Sequence, residues 1–328
     1  MVENIVYVLG AGASNDAGGP LVKDFFSKSR PNDEAIYSRY FNDNPRYQIL
    51  EKIYRDWAKK NRKNDIENYL KHIEYQKLSS TQCFDPISNK KYSPDLIWRY
   101  LMWYIASYVL RSVTATRNPP AFYEKFAESL KARGKRFSII TFNYDMVFER
   151  AIIRKIGAVD YGLGRIRGLK EYTSESGIPF LKLHGSLNWR ICDKCGTIEV
   201  SEKPVAQIYP RRKCSSRCQG MMNPAIVPPA ANKGDYLKDI AALWKKAHRT
   251  MEKADKLIII GYSLPEVDTD AQGLLRYPIK ERGIDVEIIL RNAQKIKEVA
   301  ERMGLDSNQL PLPYSPVPMD FKEFVKYL

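Results

Sequence analysis

Gly10-Ala11-Gly12-Ala13-Ser14 follows the apolar run Ile5 to Leu9, which reads as a buried strand turning through two glycines into a helix. A Gly-x-Gly turn there lets backbone amides approach an anion such as a pyrophosphate. Three further segments repeat the pattern of apolar run and polar loop. Thr141-Phe142-Asn143-Tyr144-Asp145 follows Phe137 to Ile140, Leu183-His184-Gly185-Ser186 ends the run Phe180 to Leu183, and Gly261-Tyr262-Ser263-Leu264 follows Leu257 to Ile260. Loops that leave the carboxyl ends of parallel strands bind ligands in open α/β sheets. Together the four segments predict an α/β fold with a Rossmann-like parallel sheet and one nucleotide site.

The glycine loop alone does not make a dehydrogenase. Asn15 stands where the third glycine of the dinucleotide fingerprint would be, and no second strand with an acidic end follows about 20 residues on to hold ribose hydroxyls.

The sheet pattern is discontinuous. A helix is expected near Leu21 to Ser29, and from Pro31 to about Arg136 only helical periodicity is present, with candidate helices at Tyr47 to Lys60, Asp65 to Leu78, Pro94 to Val113 and Ala121 to Arg133. Strand and helix signals resume at Phe137, break between Cys192 and Cys218, and return with Leu257 to Ile260, Val286 to Leu290 and a helix from Ala293 to Arg302. This predicts a Rossmann-like domain built from residues 1–30, 137–190 and 221–328. It is interrupted by a large helical insertion, 31–136, and a small zinc-ribbon module, 191–220.

Cys192-Asp193-Lys194-Cys195 and Cys214-Ser215-Ser216-Arg217-Cys218 have the knuckle spacing of a four-thiolate zinc site, the second pair with three intervening residues rather than two. Such a site is structural, because four thiolates leave no coordination position open for catalysis. Reduced, unliganded thiols are the other reading. Cys83, inside the insertion, reads as a packing residue.

With 53 Lys and Arg against 38 Asp and Glu the formal charge is +15, which favours anionic partners. The basic residues are scattered, so most read as solvated helix faces and nucleic-acid contact stays a secondary possibility. No signal-peptide pattern precedes the first strand, which predicts a cytoplasmic protein. Leu96 to Leu110 is too short and too polar to span a bilayer, so no membrane contact is expected.

Taken in order, GAGAS with Gly19-Pro20, TFNYD, LHGS, the cysteine quartet, GYS and Arg291-Asn292 resemble the sirtuin superfamily. The resemblance implies NAD as substrate and a structural zinc ion. Gly10, Ala11, Gly12 and Ser14 would hold the pyrophosphate and nearby ribose, Gly261 and Ser263 would support the phosphates, and Asn292 would contact the adenosine ribose. Asn143 would orient the nicotinamide ribose and attacking water, Asp145 would meet the nicotinamide carboxamide, and His184 falls on the catalytic histidine. A histidine titrating near neutrality can take a proton from a ribose hydroxyl or water, and an amide can position without changing charge.

Departures from the deacylase pattern bear on the substrate. Phe25 and Phe26 follow Lys23-Asp24 with no Arg directly after, and Asn223 to Pro229 replaces the Phe-Gly-Glu segment of the acyl-lysine channel. That proline-bounded strand with Lys233 and Tyr236, Gly261 to Pro265 with Asp268, and Asp65 to Leu70 look like the sirtuin-like NAD hydrolases of prokaryotic antiviral defence, although Asp65 to Leu70 fits capping and packing equally well. The expected activity is hydrolysis of NAD to ADP-ribose and nicotinamide. The alternatives are an NAD-dependent protein lysine deacylase, which retention of the cysteine module favours, and a catalytically quiet nucleotide-binding subunit. Self-protection of the cell's NAD implies a homo-oligomer, the insertion or a separately encoded partner protein as the brake.

Overall fold

Strand β1 (Ile5–Leu9) is buried along its whole length, as a strand covered on both faces must be. The computed structural model describes residues 3–21, 24–25, 45–62, 65–113, 119–132, 136–163, 169–173, 176–204, 213–216, 218–228, 234–305 and 318–328. Numbered in chain order, the strands of a six-stranded sheet lie as β11 (Asp285–Ile289), β10 (Lys256–Ile260), β1, β4 (Phe137–Thr141), β6 (Ile178–Lys182) and β5 (Val159–Asp160). Every neighbouring pair is parallel. The expected α/β fold with a Rossmann-like sheet is present, and each expected strand lies within two residues of its predicted bounds.

From β1 the chain builds outward on the β4 side and returns to the other side only with β10. The order therefore reverses at β1, and the crevice at its carboxyl end is where such sheets take ligands. Backbone hydrogen bonds carry the ladder one step past the strand ends. Phe142 N donates to Leu9 O (3.0 Å), Leu183 N to Thr141 O (2.9 Å), Gly10 N to Ile260 O (3.0 Å) and Gly261 N to Ile289 O (2.9 Å). The loops that carry the motifs thus leave the sheet at one level.

Gly12 and Gly261 are required by close approach. Gly12 N donates to Gly261 O at 2.8 Å, and a Cβ on Gly12 would stand 2.8 Å from that oxygen and 2.9 Å from Gly261 Cα. Gly261 itself has φ +63°, in the left-handed region. The first turn after Gly10 is a short helix, α1 (Ala11–Ser14), followed by a 3₁₀ turn over Asn15–Ala17. Most of the expected helix from Leu21 to Ser29 lies outside the described residues.

The segment between β1 and β4 holds α2 (Pro45–Lys60), α3 (Ile66–Leu78), α4 (Pro94–Ser112) and α5 (Ala121–Ala132). α2 buries Tyr47, Leu50, Ile53 and Trp57, one stripe at helical spacing. Asp65 caps α3 by accepting from Asn68 N (2.9 Å), and Ser93 with Pro94 starts α4. α4 is apolar on nearly every side and buried throughout its middle, which makes it the core of this helical unit. The expectation of helix alone between Pro31 and Arg136 is corrected by a hairpin, β2 (Cys83–Asp85) paired antiparallel with β3 (Lys90–Tyr92). Its strands have three residues each, too few to show alternation. The turn is made by Asp85, whose Oδ1 accepts from Ile87 N (2.9 Å) and whose Oδ2 accepts from Ser88 Oγ (2.5 Å). Cys83 is buried and donates to Gln76 Oε1 at 3.1 Å. Burial pushes its thiol up to about 12, as suits an inert packing residue.

After β6 the chain enters a separate antiparallel sheet of β8 (Ile198–Val200), β7 (Gly185–Cys192) and β9 (Met222–Ile226). This sheet begins at Gly185 and ends at Ile226, with β7 entering residues 191–220, β8 inside them and β9 following them. The remaining helices are α6 (Val147–Ile156), α7 (Lys170–Thr173), α8 (Gly234–Glu252), α9 (Thr269–Arg282), α10 (Ala293–Arg302) and α11 (Phe321–Phe324). No helix among the described residues is long and apolar enough to cross a membrane.

Candidate functional site

A cavity of about 760 Å³ opens at the carboxyl ends of β1, β4, β10 and β11, within the range of about 300–1,000 Å³ usual for small-molecule sites. Ala11, Gly12, Ser14, Asn143, Asp145, His184, Gly261, Ser263 and Asn292 all line it. Gly10 stands just behind, and its carbonyl oxygen holds Asn143.

Asn143 is fixed from three directions. Its backbone N–H donates to Thr141 Oγ1 (3.1 Å), and its side-chain Nδ2 donates to Gly10 O (2.8 Å) and Ser14 Oγ (3.0 Å). A carbonyl oxygen can only accept, so Gly10 settles which way the amide points. Both Nδ2 protons are committed, which leaves Oδ1 as the amide atom to accept a bond from a ligand hydroxyl or water.

The loop that carries Asn143 is anchored by a buried ion pair. Lys182 Nζ lies 2.7 Å from Glu149 Oε1, with both side chains shielded from solvent, and it also donates to the carbonyl oxygen of Asp145. Tyr161 OH donates to the same Glu149 oxygen at 3.1 Å. Burial raises the Glu149 carboxyl above its usual value, and the Lys182 charge acts against that rise. Asp145 Oδ1 accepts from Val147 N (3.0 Å) at the start of α6. Tyr144 OH donates to Val227 O (2.6 Å), tying the loop to the end of β9.

His184 is buried at the cavity wall, and its Nε2 lies 3.5 Å from Asp268 Oδ2. Tyr262 OH donates to the same Asp268 oxygen at 2.6 Å. Phe142 meets the imidazole edge to face, 5.0 Å between centroids, and stacks on Tyr262 at 4.4 Å. Burial, then the Asp268 charge, pushes the phenols of Tyr262 and Tyr144 well above the ordinary tyrosine value, so both keep their protons and stay donors. Sequence reading noted Asp268 without a role for it. The signal available was an Asp three residues past Pro265, at the N-cap of α9.

At the opposite wall Asn292 lines the cavity while its Oδ1 caps α10 by accepting from Lys295 N (3.0 Å). Arg291, beside it, donates to Asn15 Oδ1 at 3.0 Å and forms an ion pair with Asp16. The insertion also reaches the site, since Asp65 and Glu67 at the start of α3 line the same cavity. Phe25 is buried against Tyr108 of α4. Lys23, Phe26 and Lys233 lie outside the described residues.

The four cysteines converge away from the cavity. Their sulfurs all lie within 4.8 Å of one another, with Cys192–Cys218 and Cys195–Cys218 at 3.4 Å and Cys195–Cys214 at 3.8 Å. Zinc–sulfur bonds of about 2.3 Å place the corners of a tetrahedron about 3.8 Å apart. The quartet fits a structural zinc ion held by Cys192, Cys195, Cys214 and Cys218.

No family model matches the chain. Over 171 residues, 52% of this chain and 52% of the relative, it is 27% identical to NAD-dependent protein deacylase 2 of Pyrobaculum aerophilum. The chain spans about half the length of that curated relative. A Sir2 homologue solved with NAD is 20% identical, with 88% of this chain and 78% of that one covered at a TM-score of 0.44. A Sir2 variant solved with ADP-ribose is 17% identical, with 98% and 90% covered at 0.44. The fold itself rests on the strand order and register described above.

Proposed function

We propose that this chain is a sirtuin-superfamily enzyme that hydrolyses NAD to ADP-ribose and nicotinamide, of the kind used in prokaryotic antiviral defence. The observation that carries the reading is the meeting of Asn143, His184 and the glycine loop in one cavity at the sheet's switch point. The pyrophosphate lies along the amides of residues 11–14 with Gly261 and Ser263 beside it, and the adenosine ribose faces Asn292. The nicotinamide ribose faces Asn143 Oδ1, with Asp145 toward the carboxamide.

In the reaction the bond from C1′ of the ribose to the ring nitrogen breaks, and its electron pair neutralises the pyridinium. Water forms the new bond at C1′, and His184 takes the water's proton. Residues 1–30, 137–190 and 221–328 form the nucleotide-binding unit, 31–136 the insertion and 191–220 the zinc module, whose ion organises its loops and takes no part in the chemistry. A second copy or a separately encoded partner protein restrains the activity. A fully active, unrestrained monomer would contradict that brake.

A second reading, the protein lysine deacylase, is favoured by the matched relative, whose name is that of a deacylase. Peptide dependence separates the two. Nicotinamide release from NAD that is unchanged by an acetyl-lysine peptide supports the hydrolase, and release only with peptide supports the deacylase.

A further inference from the structure

We infer that Asp268 is the positioning residue of His184: its carboxylate holds the imidazole through Nε2 and strengthens it as the base that accepts the proton of the attacking water. The role rests on the proposed hydrolysis for its chemistry, but the pairing itself stands on geometry. Asp268 occupies the N-cap of α9, where an Asp side chain ordinarily accepts a helix N–H and adds about 1 kcal/mol. Its side chain makes no such cap bond. It is buried and turned to the cavity, where Oδ2 meets His184 Nε2 at 3.5 Å and takes the Tyr262 hydroxyl at 2.6 Å. The start of a 14-residue helix favours an anion at that position.

The 3.5 Å separation is within ion-pair reach. With Nε2 turned to the carboxylate, the base acts on the water proton through Nδ1. The imidazolium that results is then stabilised by the adjacent negative charge. Among the described residues, the titratable groups that share the cavity with the pair include Tyr262 after β10, Tyr144 and Asp145 after β4, Asp65 and Glu67 at the start of α3, and Arg291, Lys295 and Asp320 beyond β11. The two phenols stay neutral. Asp268 lies within ion-pair distance of His184 and favours the protonated ring.

The test is Asp268→Asn, which keeps shape and removes charge, with Tyr262→Phe as the variant that keeps the charge and removes the phenol's hydrogen bond. Imidazole titration by NMR reads His184 directly, since the chain has only three histidines and His184→Asn assigns the signal. The His184 midpoint is expected about one pH unit higher in the wild type than in Asp268→Asn, and to stay above it in Tyr262→Phe. In kinetics the base must be neutral, so the acid limb of kcat/KM should move about one pH unit lower in Asp268→Asn while kcat falls roughly tenfold or more and ADP-ribose affinity stays within about twofold. An unchanged His184 midpoint overturns the proposal. So does a loss of ADP-ribose affinity matching the loss of kcat, which marks a merely structural carboxylate. A raised midpoint in a wild type that releases no nicotinamide would instead sink the hydrolase reading and leave the pair standing.

Discussion

Asn143 Nδ2 lies 2.8 Å from the carbonyl oxygen of Gly10 and 3.0 Å from the hydroxyl of Ser14. One side chain thus joins the loop after β4 to the loop after β1 and holds the two in a fixed relation. Positioning of this kind lowers the entropic part of a barrier. Replacing Asn143 by Ala removes the acceptor Oδ1 and frees the Ser14 hydroxyl. Nicotinamide release should fall at least about a hundredfold, while the thermal midpoint drops by only a few degrees.

The glycine loop makes a separate prediction. A Cβ at Gly12 would stand 2.8 Å from Gly261 O, which is backbone and cannot swing aside. Gly12→Ala must push the β1 and β10 loops apart, costing about 1–3 kcal/mol of stability. ADP-ribose affinity, read by calorimetry, should fall by an order of magnitude or more. Retention of full affinity would show that these loops do not hold the phosphates.

Lys182 and Glu149 form a buried pair in which neither partner can be removed alone without cost. Lys182→Met should lower unfolding stability by about 3–5 kcal/mol, because it strands a buried carboxylate. The double variant Lys182→Met with Glu149→Leu should recover much of that loss in denaturant titration. A double variant no more stable than the single one would argue against the pair as the reason.

Glu67 brings the charge of the insertion to the wall of the cavity. Its carboxylate adds, after burial and Asp268, to the pressure that keeps Tyr144 protonated, which places it within electrostatic reach of the Asn143 loop. NAD carries a pyridinium charge that ADP-ribose lacks. Glu67→Gln should therefore weaken NAD binding severalfold to about tenfold and leave ADP-ribose binding unchanged, a contrast that calorimetry resolves.

The cysteine quartet predicts one zinc per chain by elemental analysis. Cys195→Ser or strong chelation should remove the ion and lower the thermal midpoint. ADP-ribose binding should persist, since none of the four cysteines lines the nucleotide cavity. Zinc retained after Cys195→Ser would count against the assigned ligand set.

The sequence made the sheet legible because its central strands are continuous apolar runs, as in Ile5 to Leu9, ended by polar loops. The convergence of those loops followed from parallel topology alone. The β2–β3 hairpin was hidden because three-residue strands with Lys90 and Lys91 carry no period, and its turn depends on local bonds made by Asp85. The 185–192 strand was masked by its reading as a catalytic loop. Asp268 carries no legible task in the sequence, because its contact with His184 spans 84 residues of chain and forms only when the loops after β6 and β10 meet. Lys182 was likewise unmarked: a lone lysine ending a strand reads as solvated until Glu149 is seen opposite.

The most direct measurement is nicotinamide release from NAD by purified protein without peptide, comparing wild type with Asn143→Ala and His184→Ala under conditions where all three bind ADP-ribose. The account predicts turnover in the wild type and loss in both variants. Turnover that survives either substitution would contradict it.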